Sequence, residues 1–417
     1  MKRLLLTFAF LISAFWMPMV STAAEDTPLP ALNLEEVLRE AAERNPEILE
    51  AENRKRAAAE RIPQATAWDD PQVGVTQWSI PSNFSIGNAD ETWYTLSQNF
   101  PFFGKQALRG NVAELDGKMA AEDARSVRLK VIREVKQAYY DLFFAHQALD
   151  IHHRQVELAR TFSRITQEKV AVGEAGQQDL LRAQVELLNL SNALFTLEQE
   201  RETAEARLNT LLNRSTNSPL GLPEALTIPT FEPKLQALQQ EAEEIRPENR
   251  MQALAIRRGE EEVKSAKRDL FPDVMAEVAY WDVHDGPNRW MASIKINIPW
   301  INKKKYEGRI RENEAERQRA EAALQGAINQ TALRVKELLV RFESSRRLAR
   351  LYESGILPLA EQQLSAATIG YQSRKNDFLT LIDAQKNLRD LELTYFGALI
   401  DTKKSLAELE EMIGREF

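Results

Sequence analysis

The four histidines are the side chains of this sequence best suited to bind a transition metal. His146, His152 and His153 fall in one long segment with helical character, and His146 and His153 lie two turns apart on one face. That spacing is too wide for one metal ion, and the chain has no cysteine that would complete a site. We therefore expect packed or solvated histidines and no metal site in this segment.

The fourth histidine, His284, has carboxylates on both sides of it in the sequence. Asp282 and Asp285 are close enough to hold a metal ion weakly with it. The neighbouring Gly286 and Pro287 are typical of a connection between two strands. A polar surface loop, outside the membrane, is therefore the preferred interpretation.

Composition and motifs exclude several classes of function. The sequence has no glycine-rich phosphate loop, no nucleophile elbow and no catalytic triad, so we expect neither an enzyme nor a cofactor. With 62 Asp and Glu against 54 Lys and Arg, the formal net charge is -8. Nucleic acid is not expected as a partner, because binding phosphates requires a basic surface.

The first residues have the pattern of an export signal. Lys2 and Arg3 precede the apolar run 4–16, and small residues at 20–24 provide a cleavage site, so residues 1–24 are predicted to be a signal peptide. No other stretch reaches the length of apolar residues that a membrane-spanning helix needs. Any attachment to a membrane is therefore expected to use β-strands.

The chain contains an internal repeat. The sequence Phe-Pro-Phe-Phe-Gly-Lys at 100–105 returns as Ile-Pro-Trp-Ile-Asn-Lys at 298–303, and Ala-Gln at 183–184 returns at 384–385. The second copy loses three residues between Pro272 and Pro299 and regains three before Arg374, which predicts a shorter strand connection and a slightly longer helix. We expect copy one at 25–213, a proline-rich connector at 214–233 and copy two at 234–417.

Each copy is predicted to contain a helix, two strands, a long helix and another helix. In copy one the helices are expected at 33–68, 106–172 and 179–213, with Asn33 and Glu36 at capping-box spacing. Asp179 follows a turn that contains two glycines and is predicted to be the N-cap of the last helix. The long helix would extend on the order of 100 Å.

Four strand candidates show the alternation that a half-buried strand requires, although the first, at 72–80, is ambiguous. In the fourth, Ala292, Ile294 and Ile296 share one face, while Ser293 and Lys295 share the other. Each strand is expected to have about 9 to 11 residues, the length that crosses a bilayer when tilted. Aromatic residues near the strand ends are typical of a membrane interface: Trp78, Trp93, Tyr94, Tyr280, Trp281, Trp290 and Trp300.

Four strands cannot close a barrel, and open sheet edges are not tolerated in lipid. Two chains would give eight strands and a filled interior, whereas three chains would give twelve strands and begin to leave a lumen. The predicted fold is therefore mainly α with a small β part. Three chains with this internal repeat would have pseudo-six-fold symmetry, with the long helices continuing the strands into a tube.

A proline marks each passage from strand to helix. Pro101 and Pro299 occupy equivalent positions in the two copies. Because proline has no N–H to donate, each is expected to end the hydrogen-bonded ladder of its strand.

The order of these motifs, given twice, resembles the TolC-like outer-membrane efflux protein family over nearly the whole predicted mature chain. The resemblance rests on Asn-Pro-Glu at 45–47, which returns as Arg-Pro-Glu at 246–248, on the two strand-to-helix junctions and on the Ala-Gln after each helical turn. It implies a trimeric 12-stranded outer-membrane β-barrel, four strands per chain, continued by a long periplasmic α-helical barrel. The homotrimer would lie in the outer membrane of a Gram-negative bacterium, in contact with outer-membrane lipid. It further implies a periplasmic adaptor and an inner-membrane pump of the RND type as partners.

The resemblance also implies a gate at the second helical turn, where acidic residues form rings in the family. Asp383 matches one such position, and Thr380 departs from the other, which Asp377 would replace from one helical turn earlier. A ring of three carboxylates would attract cations and repel anions. The alternatives are helix capping for Asp377 and an exposed charge for Asp383. Arg374 stands where copy one has the turn glycine Gly173.

By this resemblance the chain is the exit channel of a tripartite efflux system. The Phe-Pro-Phe-Phe-Gly-Lys junction also resembles the heavy-metal branch of the family, which favours metal cations slightly over organic compounds as cargo. The alternative from another class is a soluble periplasmic coiled-coil scaffold. Such a scaffold would have no need of two hairpins of membrane-spanning length.

Overall fold

The computed structural model describes residues 31–80, 82, 89–232 and 234–416, so the predicted signal peptide at 1–24 lies outside the described residues. The helices of copy one are α1 (Leu34–Arg44), α2 (Pro46–Ala59), α3 (Arg61–Thr66), α4 (Lys105–Ala171) and α5 (Gln177–Leu211). Those of copy two are α6 (Leu235–Ile245), α7 (Pro247–Arg268), α8 (Lys303–Leu351), α9 (Leu357–Gln372) and α10 (Phe378–Ile413). The strands are β1 (Gln72–Trp78), β2 (Glu91–Phe100), β3 (Val274–Val283) and β4 (Arg289–Ile296).

The first helical segment differs from its prediction, because it is three helices and not one. Asn33 does cap α1, accepting a hydrogen bond from the backbone N–H of Glu35 at 2.8 Å. The chain then breaks at Asn45, which has extended backbone angles and caps α2 through a 2.9 Å bond from the N–H of Glu47. Pro46 disfavours a helical conformation at the residue before it and is well suited to the first position of the next helix.

The long helix of copy one and its counterpart in copy two differ in length. α4 has 67 residues, which corresponds to about 100 Å. Its counterpart runs through α8, one π-helical turn (Tyr352–Ile356) and α9. It is three residues longer, as predicted, and Pro358 lies just after the π-helical turn, where its missing N–H cannot bond the preceding turn.

The helices pack around α4, which contacts α5, α7 and α10. Its central part contributes Val135, Tyr139 and Leu142 to a buried cluster with Leu208 of α5 and Ile400 of α10. A further cluster joins α6, α8 and α10. None of the helices in the described part of the chain combines the length and apolarity of a bilayer-crossing helix.

The four strands form one antiparallel sheet in the order β1-β2-β3-β4. The central pair joins the two copies, with Phe100 opposite Val274 and Glu91 opposite Val283. β1 and β4 are the two edges, and each has one side that pairs with no strand among the described residues. β1 and β4 have seven and eight residues, so these two strands are shorter than the 9 to 11 expected from the sequence.

The register places apolar side chains on one face of the sheet and mostly polar ones on the other, which settles the ambiguous first strand. Val73 faces Leu96, Leu96 faces Val278, and Val278 faces Ala292. On the opposite face the Nζ atom of Lys295 lies 2.9 Å from a carboxylate oxygen of Glu277.

The sequence pattern suggested a single group of aromatic residues near the strand ends. In the structure these residues are divided between the two faces of the sheet. Tyr94, Tyr280 and Trp290 follow one another across the apolar face. Trp93 and Trp281 lie on the polar face, where their rings stack at a centroid distance of 4.5 Å. Trp78 lies on the same face, with its ring 5.5 Å from that of Trp93, so the expectation of a single interfacial belt was wrong for these three residues.

Candidate functional site

The end of the molecule farthest from the sheet consists of two turns, 172–176 between α4 and α5 and 373–377 between α9 and α10, which we call the tip. The turns repeat each other in their hydrogen bonds: the N–H of Glu174 donates to the carbonyl of Lys169 at 2.7 Å, and that of Lys375 donates to the carbonyl of Gly370 at 2.8 Å. Gly173 and Arg374 occupy equivalent left-handed positions, with φ of 78° and 63°. The guanidinium of Arg374 pairs with the carboxylate of Glu174, so the two turns are tied together.

An aromatic contact fixes the tip of copy two against α4. The side chain of Tyr371 is buried, and its hydroxyl lies 3.0 Å from that of Thr166. Lys169 donates to the carbonyl of Tyr371 at 2.6 Å and places its ammonium 4.4 Å from the centre of the ring. The ring of Phe378 meets that of Tyr371 edge-on at 5.6 Å. Burial raises the pKa of the Tyr371 hydroxyl, so this hydroxyl stays uncharged at neutral pH.

Sequence reasoning missed this aromatic contact. Its signal was a pair of aromatic residues, Tyr371 and Phe378, on either side of the second turn. The repeat places Val170 and Gln177 at the corresponding positions of copy one. The two halves of the tip therefore differ most at these positions.

Asp377 is the N-cap of α10, which was the alternative to its predicted place in the gate. Its carboxylate accepts a 2.9 Å hydrogen bond from the N–H of Thr380 and a second from the Thr380 hydroxyl. The hydroxyl and N–H of Thr380 hold the pKa of this carboxyl below its ordinary value. The corresponding prediction for copy one was wrong: Gly176 is the N-cap of α5, and Asp179 lies in the first turn.

Asp383 is exposed and lines a groove of about 390 Å³ between α5 and α10. The same groove is lined by Arg182 and Lys386, and Lys386 pairs with Glu186 at 2.9 Å. Of the four predicted gate residues, the structure brings Asp377 and Thr380 into contact. Arg374 instead contacts Glu174 of copy one, and Asp383 stands separately in the groove.

The strand-to-helix junctions are the second region of interest. Pro101 directly follows the last residue of β2, and Pro299 begins a short 3-10 helix (Pro299–Asn302) after β4. Both prolines are thus placed where the ladder of hydrogen bonds ends. Substitution of Pro101 is expected to impair assembly, since the proline sets where strand pairing stops.

A buried lysine at the first junction connects the two copies. Lys105 is 3% exposed, and its ammonium donates to the carbonyl of Phe271 and to Oδ1 of Asp273, each at 2.8 Å. The same Oδ1 accepts a 2.8 Å bond from the N–H of Phe102. The rings of Phe102 and Phe271 stack at 4.8 Å beside this group. The sequence showed the lysine but not its partners, which lie in the other copy.

The histidines do not form a metal site in the described residues, where no group of three or more His, Asp or Glu side chains has suitable geometry. The ring of His152 is buried, with Nδ1 3.0 Å from the carbonyl of Ala148. Burial lowers the pKa of both His146 and His152, so both side chains are neutral at pH 7.

Comparison with known proteins accounts for this architecture. The profile of the outer membrane efflux protein family matches residues 37–214 and again residues 238–415. The chain belongs to this family. The predicted outer-membrane efflux protein is thereby confirmed, and the alternative of a soluble periplasmic scaffold is set aside.

Among proteins of this family, the chain is 24% identical over 326 residues to the cobalt-zinc-cadmium resistance protein CzcC of Cupriavidus metallidurans, covering 77% of each chain. It is 26% identical over 144 residues to toxin and drug export protein A of Aggregatibacter actinomycetemcomitans, covering 34% of this chain and 32% of the other.

Solved structures of outer-membrane channels share the fold. CusC aligns with a TM-score of 0.77 at 18% identity, covering 92% of each chain. The open state of the MtrE channel of Neisseria gonorrhoeae aligns with a TM-score of 0.75 at 17% identity, covering 98% of each chain. The efflux protein described here therefore has the helical and strand architecture of these channels.

Proposed function

We propose that three copies of this outer membrane efflux protein form the exit duct of a tripartite efflux system. The observation that carries the proposal is the sheet. It has one apolar and one polar face, two edges without a partner strand in the described chain, and a direct continuation into helices of about 100 Å.

The apolar face needs an apolar environment. Val73, Leu96 and Ile294 are 80%, 53% and 77% exposed in the single chain, and they lie on the same side of the sheet. A contiguous exposed patch of this kind marks a membrane or a protein interface. Contact with outer-membrane lipid satisfies it, while the Glu277–Lys295 pair on the opposite face suits a water-filled lumen.

Three chains are the smallest assembly that supports transport. Eight strands from two chains would enclose little more than their own side chains, whereas twelve leave an open lumen. In the helical part, α5 exposes Leu181, Val185 and Leu188, which are 54%, 57% and 68% accessible. A homotrimer provides neighbouring helices that cover these side chains.

The tip acts as the periplasmic gate in this proposal. The Arg374–Glu174 pair holds the two turns of one chain together, while three copies of Asp383 supply a negative ring. Asp377 and Thr380 contribute by fixing the start of α10.

Asp383→Asn is expected to lower the cation-over-anion preference of the channel, measured from reversal potentials in planar bilayers. Asp401→Asn, on the same helix but far from the tip, is the matched control. An unchanged reversal potential in Asp383→Asn would remove Asp383 from the gate.

The partners of the duct are a periplasmic adaptor and an inner-membrane pump of the RND type. The cargo we propose is a divalent metal cation, because the relative that spans most of the chain is named for cobalt, zinc and cadmium resistance. The match to the toxin and drug export protein spans only about a third of the chain, which makes organic compounds the second candidate.

Two measurements test the function. The protein is extracted from outer membranes in detergent and run on gels with and without heating. Its mass is measured by light scattering, and a trimer is the expected result. A host that carries the cognate pump and adaptor but lacks this chain is then challenged with cobalt, zinc, cadmium or organic dyes. Restored growth on metals supports the cargo, restored growth on dyes alone changes it, and a soluble monomer overturns the duct.

A further inference from the structure

The contact between the two copies of one chain is a template for the contact between neighbouring chains. Within a chain, β2 of copy one pairs with β3 of copy two. By the repeat, β4 is the counterpart of β2, and β1 is the counterpart of β3. The two strands left at the edges are thus the same kind of pair as the two at the centre.

The lysine that follows β4 shows that the contact expected between the two edge strands is not made within the single chain. Lys303 is the counterpart of Lys105, yet its side chain is 73% exposed, while that of Lys105 is 4% exposed. In the single chain, Lys303 pairs with Glu307 at 3.3 Å, within its own helix. The same local sequence therefore gives a buried ammonium in one copy and an accessible one in the other.

The counterparts of the groups that bind Lys105 lie at the other edge of the sheet. The repeat places Asp70 at the position of Phe271 and Gln72 at the position of Asp273. Both residues are exposed, and both line a concavity of about 680 Å³ that extends across the sheet from β1 to Lys295 at the end of β4. They are beyond the reach of Lys303 in the same chain, because two strands lie between β1 and β4.

We propose that β4 of one protomer pairs with β1 of the next in a single antiparallel register, and that Lys303 enters the site formed by Asp70 and Gln72 of that neighbour. The register follows from the central pair. Gln98 faces Ala276 and Phe100 faces Val274, so Ile296 faces Val75 and Ile298 faces Val73 across the seam between chains. This inference rests on the proposed trimer and specifies its interface.

The side chains fit this register. Ile296 and Val75, 55% and 62% exposed in the single chain, both lie on the apolar face, so their pairing continues the lipid-facing surface across the seam. At the junction the ammonium of Lys303 meets the backbone carbonyl of Asp70 and the amide oxygen of Gln72, as that of Lys105 meets the carbonyl of Phe271 and Oδ1 of Asp273.

The seam between chains differs from the seam within a chain in two ways. Gln72 offers a neutral acceptor where Asp273 offers a carboxylate, and the stacked rings of Phe102 and Phe271 are replaced by Trp300 beside Asp70. Hydrogen bonds to neutral acceptors are weaker than charge-assisted ones. We therefore expect the trimer to come apart before each chain loses its own sheet.

Paired cysteines test the register, since the chain has no cysteine of its own. The matched pairs are Val75→Cys with Ile296→Cys, and Val73→Cys with Ile298→Cys. The shuffled pairs, Val73→Cys with Ile296→Cys and Val75→Cys with Ile298→Cys, use the same four substitutions and serve as controls. Directly opposed residues lie about 4.5 to 5.5 Å apart and diagonal ones about 7 to 8 Å, beyond the reach of a disulfide.

Outer membranes are oxidised with copper phenanthroline, heated in detergent and run without reductant. Covalent dimers and trimers from the matched pairs alone are the expected result. Cross-linking of a shuffled pair shows a register displaced by two residues and overturns the proposal, although the duct remains. A trimer by light scattering with no cross-link from any pair overturns the pairing of β4 with β1, and a monomer overturns the duct itself.

The lysine is tested separately by the temperature at which the unheated trimer dissociates in detergent. Lys303→Ala is expected to lower this temperature. Lys304→Ala is the matched control, because its counterpart Gln106 bonds the carbonyl of Ala67 within its own copy. Equal shifts in the two variants would show that Lys303 has no special place in the seam.

Discussion

Lys105 and Lys303 follow equivalent strands, yet the environment of the first is complete within the chain and that of the second is not. Lys105 reaches the carbonyl of Phe271 and the carboxylate of Asp273, both from copy two. Lys303 is left on the surface. The difference shows that copy one is not a self-sufficient unit, because its junction is completed by residues of copy two.

The two halves of the tip show a second kind of difference. In copy two, Tyr371 and Phe378 are buried against α4 together with Leu381. In copy one, α5 leaves Leu181 and Val185 exposed near the same end. Copy two therefore anchors the tip within the chain, whereas copy one presents a surface for a neighbour.

The comparison of the junctions is tested most strongly by removing the lysines. Lys105→Met leaves the Asp273 carboxylate without its ammonium partner, and we expect a loss of about 3 kcal/mol in folding free energy. This value is near the low end for a broken buried pair, because Asp273 keeps some contact with water. Lys303→Met should leave the fold of the chain intact. Denaturant unfolding of both variants measures this, and equal losses would contradict the difference between the junctions.

The aromatic contact at the tip gives the next largest effect. Tyr371→Ala removes a buried ring and is expected to cost about 3 kcal/mol, the lower value for such a truncation, because the tip has water nearby to fill the space. Hydrogen exchange of residues 166–172 and 378–382 should accelerate. Val170→Ala at the equivalent site of copy one is the control, and comparable exchange in the two variants would contradict an anchor specific to copy two.

The turns provide a smaller test of the repeat. Gly173→Ala forces a side chain into the left-handed region and should destabilise the first turn by about 1 kcal/mol. Arg374→Gly relieves the same strain at the second turn but loses the exposed pair with Glu174, so a change near zero is expected. Thermal unfolding measures both. A large loss in Arg374→Gly would show that the ion pair, and not the backbone, determines the stability of this turn.

The cap of α10 gives the smallest effect, and it depends on pH. Because the folded pKa of Asp377 is lowered from its ordinary value of 3.8, the stabilisation is present above that value and is lost as the pH falls through the folded pKa. Hydrogen exchange at the start of α10, corrected for the intrinsic effect of pH, should accelerate below about pH 4. Asp377→Asn keeps a cap without a titrating group, and the same acceleration in that variant would exclude Asp377 as the cause.

Periodicity predicted the elements of the fold well. Alternation placed Ala292, Ile294 and Ile296 on one face, and the internal repeat predicted both the shorter strand connection and the longer helix of copy two. These features depend on neighbours in the sequence. The break at Asn45 was missed because a proline is as compatible with the first turn of a helix as with the end of one.

The site was predicted less completely, because its contacts join distant residues. Lys105 and Asp273 are 168 positions apart, and no local pattern shows that they meet. Asp377 was a correct candidate for a cap, whereas Asp179, the counterpart of Thr380, was not, since the turn of copy one places Gly176 at the helix start. The gate roles of Asp383, Asp377, Thr380 and Arg374 remain predictions.

The π-helical turn at Tyr352–Ile356 interrupts the long helix of copy two between α8 and α9. Helices that share both a starting sheet and a common tip must absorb any difference in length, and three residues amount to about 4.5 Å. One turn of the longer helix is π-helical and is followed by Pro358, where the backbone ladder is interrupted. This helix is therefore expected to bend more easily between α8 and α9 than the uninterrupted α4.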